Sequence, residues 1–410
     1  MNKLNQLLNI YGLKNDSLDV DQLLSNFNSE MEAGLKNKPS SLAMLNSYLS
    51  LPKSWSTETV AIIDAGGTNL RIGLGSLNED KSVELHNFKK IEMPGKQKKE
   101  SADILFNSIA DILHDYKNDF KKIGFCFSYP TEITPNHDGR LLYWTKEIKI
   151  PDLVGCNIGK SLNNILNKRS IYDKKITVLN DTVATLLSGY SIGSKINASK
   201  YIGFILGTGT NTSCIINNQI YNVESGGFSK FPLLKIDEDL DKHSENEGNY
   251  RFEKAIAGAY LGTLTLRLIQ NLALDGILSN KAQASILVMH EIDTAVFSNL
   301  INKVDKNNIF FSDIFSDTDR EIISHAFSAI IERASMFAAV NIASAILFKS
   351  KDTESTVCIT IDGSTCYKTP GMYELIKKNL INILNPYNIN FKLIKTKDAP
   401  AIGAALSTLS

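Results

Sequence analysis

Apolar, β-branched runs alternate along this chain with amphipathic stretches, and each change of period marks a change of element. Over residues 1 to about 50 the apolar positions fall at three- and four-residue steps (Leu7, Leu8, Tyr11, then Leu23, Leu24, Phe27, Met31, Leu35), which predicts helices closed by Pro52. From Thr59 the pattern becomes that of strands, at 59–63, 70–77 and 83–89, followed by a helix near 102–116 and a strand at 123–128. A second cycle places a strand at 175–179, a helix at 182–190 and a strand at 201–206. Residues 251–350 read as largely helical, as in 253–270 and 318–349, before strands at 356–361 and 390–394 with a helix between them. Hairpin, helix and strand recurring in that order predict an α/β chain of two related halves, the second enlarged by helices. A ligand site belongs in the cleft between them. The Asn-, Asp- and Lys-rich stretches 35–41, 194–200, 237–249 and 303–308 read as loops or solvated helix ends.

Two strand-like runs end in the same kind of turn. Ile63-Asp64-Ala65-Gly66-Gly67-Thr68-Asn69 and Leu206-Gly207-Thr208-Gly209-Thr210-Asn211 each lead straight into another apolar run, so each predicts a β-hairpin with a Gly/Thr tip. Such a tip is either a tight turn or an anion cradle. Glycines let the backbone approach a phosphate closely, and threonine hydroxyls donate to it without bulk. Two tips in one chain can clasp a polyphosphate from opposite sides.

Composition narrows the choice of partner. Lys+Arg and Asp+Glu balance at 44 each over 410 residues, so no global field recruits nucleic acid or an anionic membrane, and any anion site must be local. Five scattered cysteines (Cys126, Cys156, Cys214, Cys358, Cys366) fit reduced thiols and a cytoplasmic protein better than a disulfide framework. Residues 1–8 lack the features of a signal peptide, and the weakly polar run 334–348 is too short to span a bilayer and predicts a buried core helix. No Cys-x-x-Cys or His-x-His spacing suggests a structural metal.

The residues that can carry chemistry lie at strand ends. In Val178-Leu179-Asn180-Asp181-Thr182 an apolar strand stops at an amide and a carboxylate; Asp181 or Thr182 is a helix cap, or Asp181 is a base at the carboxyl end of a strand, where open α/β sheets place ligands. Ser128, followed by Tyr129-Pro130, and the Thr145-Lys146 pair after Tyr143-Trp144 supply groups able to hydrogen-bond a polyhydroxy ligand; taken singly, Lys146 reads as a solvated surface lysine.

In their order along the chain these motifs resemble the hexokinase family of the eukaryotic type, within the superfamily of sugar kinases, Hsp70 chaperones and actin. Met31 to Leu35 with Met44-Leu45 resemble its entry helices, Asp64 to Asn69 with Arg71 its first phosphate loop, and Ser128-Tyr129-Pro130 through Trp144-Thr145-Lys146 its sugar-binding signature. Asn180-Asp181-Thr182, Gly207 to Asn211 and Asp362-Gly363-Ser364 follow in the family's order. The resemblance implies two ribonuclease-H-like (actin-like ATPase) domains with the active site between them: a small one of 53–181 plus 396–410, and a large one of 1–52 plus 182–395. It implies an ATP-dependent transfer to the 6-hydroxyl of glucose or a related hexose. Asp181 would be the catalytic base, with Lys146 and Arg71 as charged catalytic partners. Ser128, Thr145, Lys146, Asn180, Asn211, Glu224 and Glu253 would bind the hexose. Asp64, Gly66, Gly67, Thr68, Asn69, Gly207, Thr208, Gly209, Thr210, Gly363 and Ser364 would hold the nucleotide, with Thr68 and Thr210 as hydroxyl donors and Asp64 orienting a water on Mg²⁺. Expected partners are the hexose and MgATP, with no nucleic acid or membrane, on a monomer or homodimer.

The chain also departs from the family pattern. Glu147 stands where a glycine usually follows the Thr-Lys pair, Ser225-Gly226-Gly227-Phe228 lacks a Trp, Tyr250 stands where a sugar-binding Gln is frequent, and the Gly-Ser-Gly-Lys run before Gly403-Ala404-Ala405 is absent. These departures keep two alternatives open: a hexose-binding sensor without catalysis, and a kinase for mannose, fructose or an N-acetylhexosamine. No Walker-type phosphate loop occurs, and Gly207-Thr208-Gly209 lacks the third glycine of a dinucleotide fingerprint.

Overall fold

Strand Val60–Ala65 is buried at all six positions, as a central strand covered on both faces must be. Its alternation splits those residues between two cores: Ala61, Ile63 and Ala65 pack with Leu105, Phe106 and Ile109 of the helix Ala102–His114, while Val60 and Ile62 pack with Ala401, Ala404 and Ala405 of the helix Ala399–Leu406. The computed structural model describes residues 2–13, 18–54, 56–144, 148–305, 307–349 and 356–408. Thr145, Lys146 and Glu147 of the sugar signature lie outside them.

Two sheets carry the fold, and they share one topology. In the first, Val83–Glu92, Asn69–Leu77, Val60–Ala65, Lys122–Phe127 and Lys175–Leu179 lie in that order, the first three antiparallel and the last two parallel to Val60–Ala65. In the second, Gln219–Asn222, Thr210–Ile216, Lys200–Leu206, Thr356–Asp362 and Asn390–Ile394 repeat the plan, with the two-residue strand Leu45–Asn46 added at the edge. The duplicated hairpin-and-crossover plan expected from the chain is thus present.

Between the sheets lie two short helices of small and aliphatic residues, Asp181–Ser188 and Ala399–Leu406. Their side chains share one core with Val60, Ile62, Tyr201 and Cys358, so this core joins the two sheets. Gly403 is required there, because a Cβ would collide with the Ala184 carbonyl of the facing helix. The helix Asp317–Leu347 is long and apolar enough to cross a membrane by length and composition, but 83% of its most apolar stretch is buried inside the fold, as a core helix should be.

Several elements differ from expectation. The entry helix Val20–Leu35 stops well before Pro52, because Ser40 and Ser41 turn back to donate to the Glu30 carboxylate and the chain then pairs as a strand with Tyr221–Asn222. Leu45 is therefore in a strand, not in an entry helix. The polar stretch 237–249 begins inside a helix, Lys235–Lys242, and two of its acids are buried, not solvated: Asp237 pairs with Arg333 at 2.6 Å and Asp241 with Lys254 at 2.5 Å. The expected helix 253–270 is two helices, Arg251–Ile256 and Gly258–Leu274, broken by extended backbone at Ala257.

Candidate active site

The parallel strands of the first sheet end along one edge. Asp64, Cys126 and Leu179 lie side by side in register, and Ser128, Asn180 and Asp181 follow immediately beyond that row. Asn180 is the helix cap, its Oδ1 accepting the Thr182 N–H at 2.8 Å, so neither Asp181 nor Thr182 plays that part. Capping by Asn180 leaves the Asp181 carboxylate in the first helical turn, half-buried, with the Thr182 hydroxyl 3.4 Å from Oδ1.

Asp64 and Arg71 face each other across the first hairpin, an alignment set by strand register. Arg71 Nε donates to Asp64 Oδ2 at 2.7 Å, and its Nη1 donates to Asp398 Oδ1 at 2.7 Å. Burial pushes the Asp64 carboxyl up, the Arg71 charge pulls against it, and the charges of Asp181 and Asp362 add to the rise. Asp362 ends the strand Thr356–Asp362 of the other sheet; burial raises its carboxyl too, and Asp181 adds to that. Acids from both sheets and one arginine therefore converge at the edge where the strands stop. Such clustering of perturbed carboxyls is what functional sites display.

The two Gly/Thr tips border this cluster. In the first, Gly66 N–H donates to Asn69 O at 3.0 Å, the Tyr129 hydroxyl donates to Gly66 O at 2.6 Å, and Thr68 is exposed. Tyr129 thus braces the tip. In the second, Gly207 O accepts the Gly258 N–H at 2.9 Å and the Thr365 hydroxyl at 2.7 Å, while Thr208 O accepts the Ala259 N–H at 3.2 Å. The Gly258 and Ala259 N–H groups start the helix Gly258–Leu274, which explains the break at Ala257. Gly363, at φ 110°, rests on Leu206 and Gly207, where a side chain would collide with the Leu206 carbonyl. Gly207, Thr208, Gly209, Gly363 and Ser364 are so gathered in one place. Thr210 needs correction as a hydroxyl donor to phosphate: it is buried, and its hydroxyl donates to Ile205 O at 2.8 Å.

A polar network lies beside the second tip. Asn211 Nδ2 donates to Asn222 Oδ1 at 2.8 Å and to Glu224 Oε1 at 3.3 Å, and Asn222 Nδ2 donates to Glu224 Oε1 at 2.6 Å. Burial pushes the Glu224 carboxyl up; the two amides pull it down and the Asp181 charge pushes it further up. Glu253 Oε2 accepts the Thr210 N–H at 2.9 Å. Asn211, Glu224 and Glu253 are therefore brought together. Asn222 and Asp398 have no assigned role in the sequence reading, and Asp362, Tyr143 and Tyr250 enter it only as members of motifs; Asn222, an amide on a buried strand position two residues before Glu224, left a local signal.

A family model described as Hexokinase matches residues 3–190, and a second of the same description matches 201–410. The chain belongs to the hexokinase family. The seam between the two matches falls between the helix Asp181–Ser188 and the strand Lys200–Leu206, where the second sheet begins. Hexokinase-9 of Oryza sativa subsp. japonica is 28% identical, covering 93% of this chain and 84% of that protein. Human Hexokinase-1 is 26% identical over 97% of this chain, which spans about half, 47%, of the human protein's length. The solved hexokinase from Schistosoma mansoni complexed with glucose superposes with a TM-score of 0.77 over 98% of each chain at 24% identity, which establishes the two-domain, actin-like sugar-kinase fold. The reaction class of this hexokinase chain is its family's, transfer of a phosphoryl group from ATP to a hexose.

Proposed function

We propose that this chain transfers the γ-phosphoryl group of MgATP to the 6-hydroxyl of glucose or a closely related hexose, with Asp181 as the general base. The observation that carries the reading is the convergence of Asp64, Asp181 and Asp362 with Arg71 at the strand ends of both sheets, between the two Gly/Thr tips. Phosphoryl transfer proceeds through a loose transition state, so it demands alignment and charge stabilisation more than covalent help. In this reading Asp181 accepts the sugar hydroxyl's proton as the bond to phosphorus forms. Asn180, Ser128, Asn211, Glu224 and Glu253 orient the hexose, with Thr145 and Lys146 of the signature completing the set.

Gly66, Gly67 and Thr68 on one side and Gly207 to Gly209 on the other hold the phosphates, and Gly363-Ser364 borders the nucleoside. A Mg²⁺ brought in with the nucleotide would neutralise the negative charge of the phosphates. The charges of Asp181 and Asp362, which raise the Asp64 carboxyl, suit a divalent cation, and among the described residues no group of three or more His, Cys, Asp or Glu forms a metal cage. Asp64 would therefore act through water while the phosphates supply most ligands. Residues 53–181 with 396–410 close as one unit on 1–52 with 182–395, pivoting on the helices Asp181–Ser188 and Ala399–Leu406, and closure excludes water as a competing acceptor. A coupled assay of ADP release with MgATP and a panel of hexoses tests the reading. Turnover dependent on glucose or a near relative supports it; ADP release indifferent to any hexose overturns it.

A further inference from the structure

Tyr143 follows the strand Gly139–Leu141, whose hairpin lies beside the first sheet, and Tyr250 caps the helix Arg251–Ile256 beside the second. Their hydroxyls are 2.5 Å apart. Tyr250 holds left-handed backbone, φ 52°, a conformation unfavourable to a bulky side chain unless its surroundings fix it. Its ring is set three residues before Glu253, which grips the second tip through Thr210 N–H, and its hydroxyl feels the charges of both Glu224 and Glu253. Tyr143 is one residue before Trp144, whose ring packs edge-on to Tyr129 with centroids 4.7 Å apart; Tyr129 in turn holds Gly66 of the first tip. The two tyrosines thus end two chains of contacts, one from each phosphate tip, and meet where the carboxylates expected to bind the sugar lie.

We propose that the Tyr143–Tyr250 hydroxyl pair is a clasp across the cleft that sets hexose affinity, positioning the sugar-side carboxylates as the halves come together. This rests on the proposed hexokinase reading. In such a pair one hydroxyl donates to the other, and the acceptor's own proton remains available to a sugar oxygen. The pair lies beside Glu224 and Glu253, the carboxylates expected on the sugar, so both act here as positioning residues. A clasp made of one shared bond also has a thermodynamic signature: it is lost once, whichever partner is removed.

The test compares the full chain with Tyr143→Phe, Tyr250→Phe and the double variant, measuring KM and kcat for glucose, KM for MgATP, and glucose binding without nucleotide by tryptophan fluorescence. Each single variant is expected to weaken glucose binding and raise its KM about fivefold, the loss of one hydrogen bond, with kcat and the KM for MgATP changed less than twofold. The double variant is expected to match the singles. Additive losses, unchanged glucose affinity, or an equal fall in kcat for every sugar would overturn the clasp. If the native chain binds glucose without turning it over and the variants still weaken that binding equally, the clasp stands and the catalytic reading fails.

Discussion

Glu253 accepts the backbone N–H of Thr210 at 2.9 Å, so the helix Arg251–Ile256 and the second Gly/Thr tip are held as one piece. A carboxylate expected on the sugar also shapes the loop expected on the phosphates. Glu253→Ala should therefore raise the KM for hexose and for MgATP together, the latter about tenfold, since a charge-assisted bond of roughly 1.5–3 kcal/mol is removed. Glu253→Gln, whose amide oxygen can still accept from Thr210, should spare MgATP and raise only the hexose KM. Steady-state kinetics of the two variants separates the roles.

Arg71 is held between Asp64 and Asp398, and Asp64 is nearly inaccessible at 4% exposure. Removing the cation strands a buried carboxylate. Arg71→Met should cost about 3 kcal/mol of stability, read from urea unfolding, and Asp64→Asn in the same chain should restore part of it.

The joint between the sheets depends on close approach of Gly403 to Ala184. Gly403→Val should lower stability by about 2 kcal/mol through overpacking and should lower kcat as well, because the displaced helix carries Asp181 at its start. Differential scanning calorimetry with activity assays checks both.

Two glutamates give opposite pH signatures. For Glu30, burial pushes the carboxyl up, but hydrogen bonds from Lys230 and Ser41 outweigh it and hold the group down to about 2, below its ordinary 4.5. Its stabilisation is present above the ordinary value and is lost as pH falls from 4.5 towards 2. Thermal unfolding of the native chain and Glu30→Gln should converge across that window. Glu224 is raised by burial, so its charged form burdens the fold at neutral pH and the burden is relieved on acidification. Glu224→Gln should be the more stable protein at neutral pH, lose that advantage as pH falls through the carboxylate range, and bind hexose more weakly.

Much of this arrangement was legible in the chain because its signals are local. Fully buried strands such as Val60–Ala65 read as apolar runs, and a Gly/Thr tip between two of them reads as a hairpin. Asp64 and Asp181 stood out because each ends such a run. Features made by distant partners were not legible. The segment 237–242 of the helix Lys235–Lys242 reads as loop or solvated helix end, because the partners that bury Asp237 and Asp241, Arg333 and Lys254, are not announced by the local sequence. Asp398 gains its meaning only from Arg71, and Thr210 loses its expected one to the Ile205 carbonyl. The family resemblance supplied Glu224 and Glu253, which local pattern alone reads as ordinary polar positions.

The most direct test of the account is the effect of Asp181→Ala on hexose-dependent ADP formation, measured with glucose affinity by tryptophan fluorescence in the same samples. If Asp181 is the base, kcat falls by roughly three orders of magnitude or more while glucose still binds. Turnover within about tenfold of the native rate, a barrier change of only about 1.4 kcal/mol, would contradict the assignment and move the proton acceptor elsewhere in the cluster.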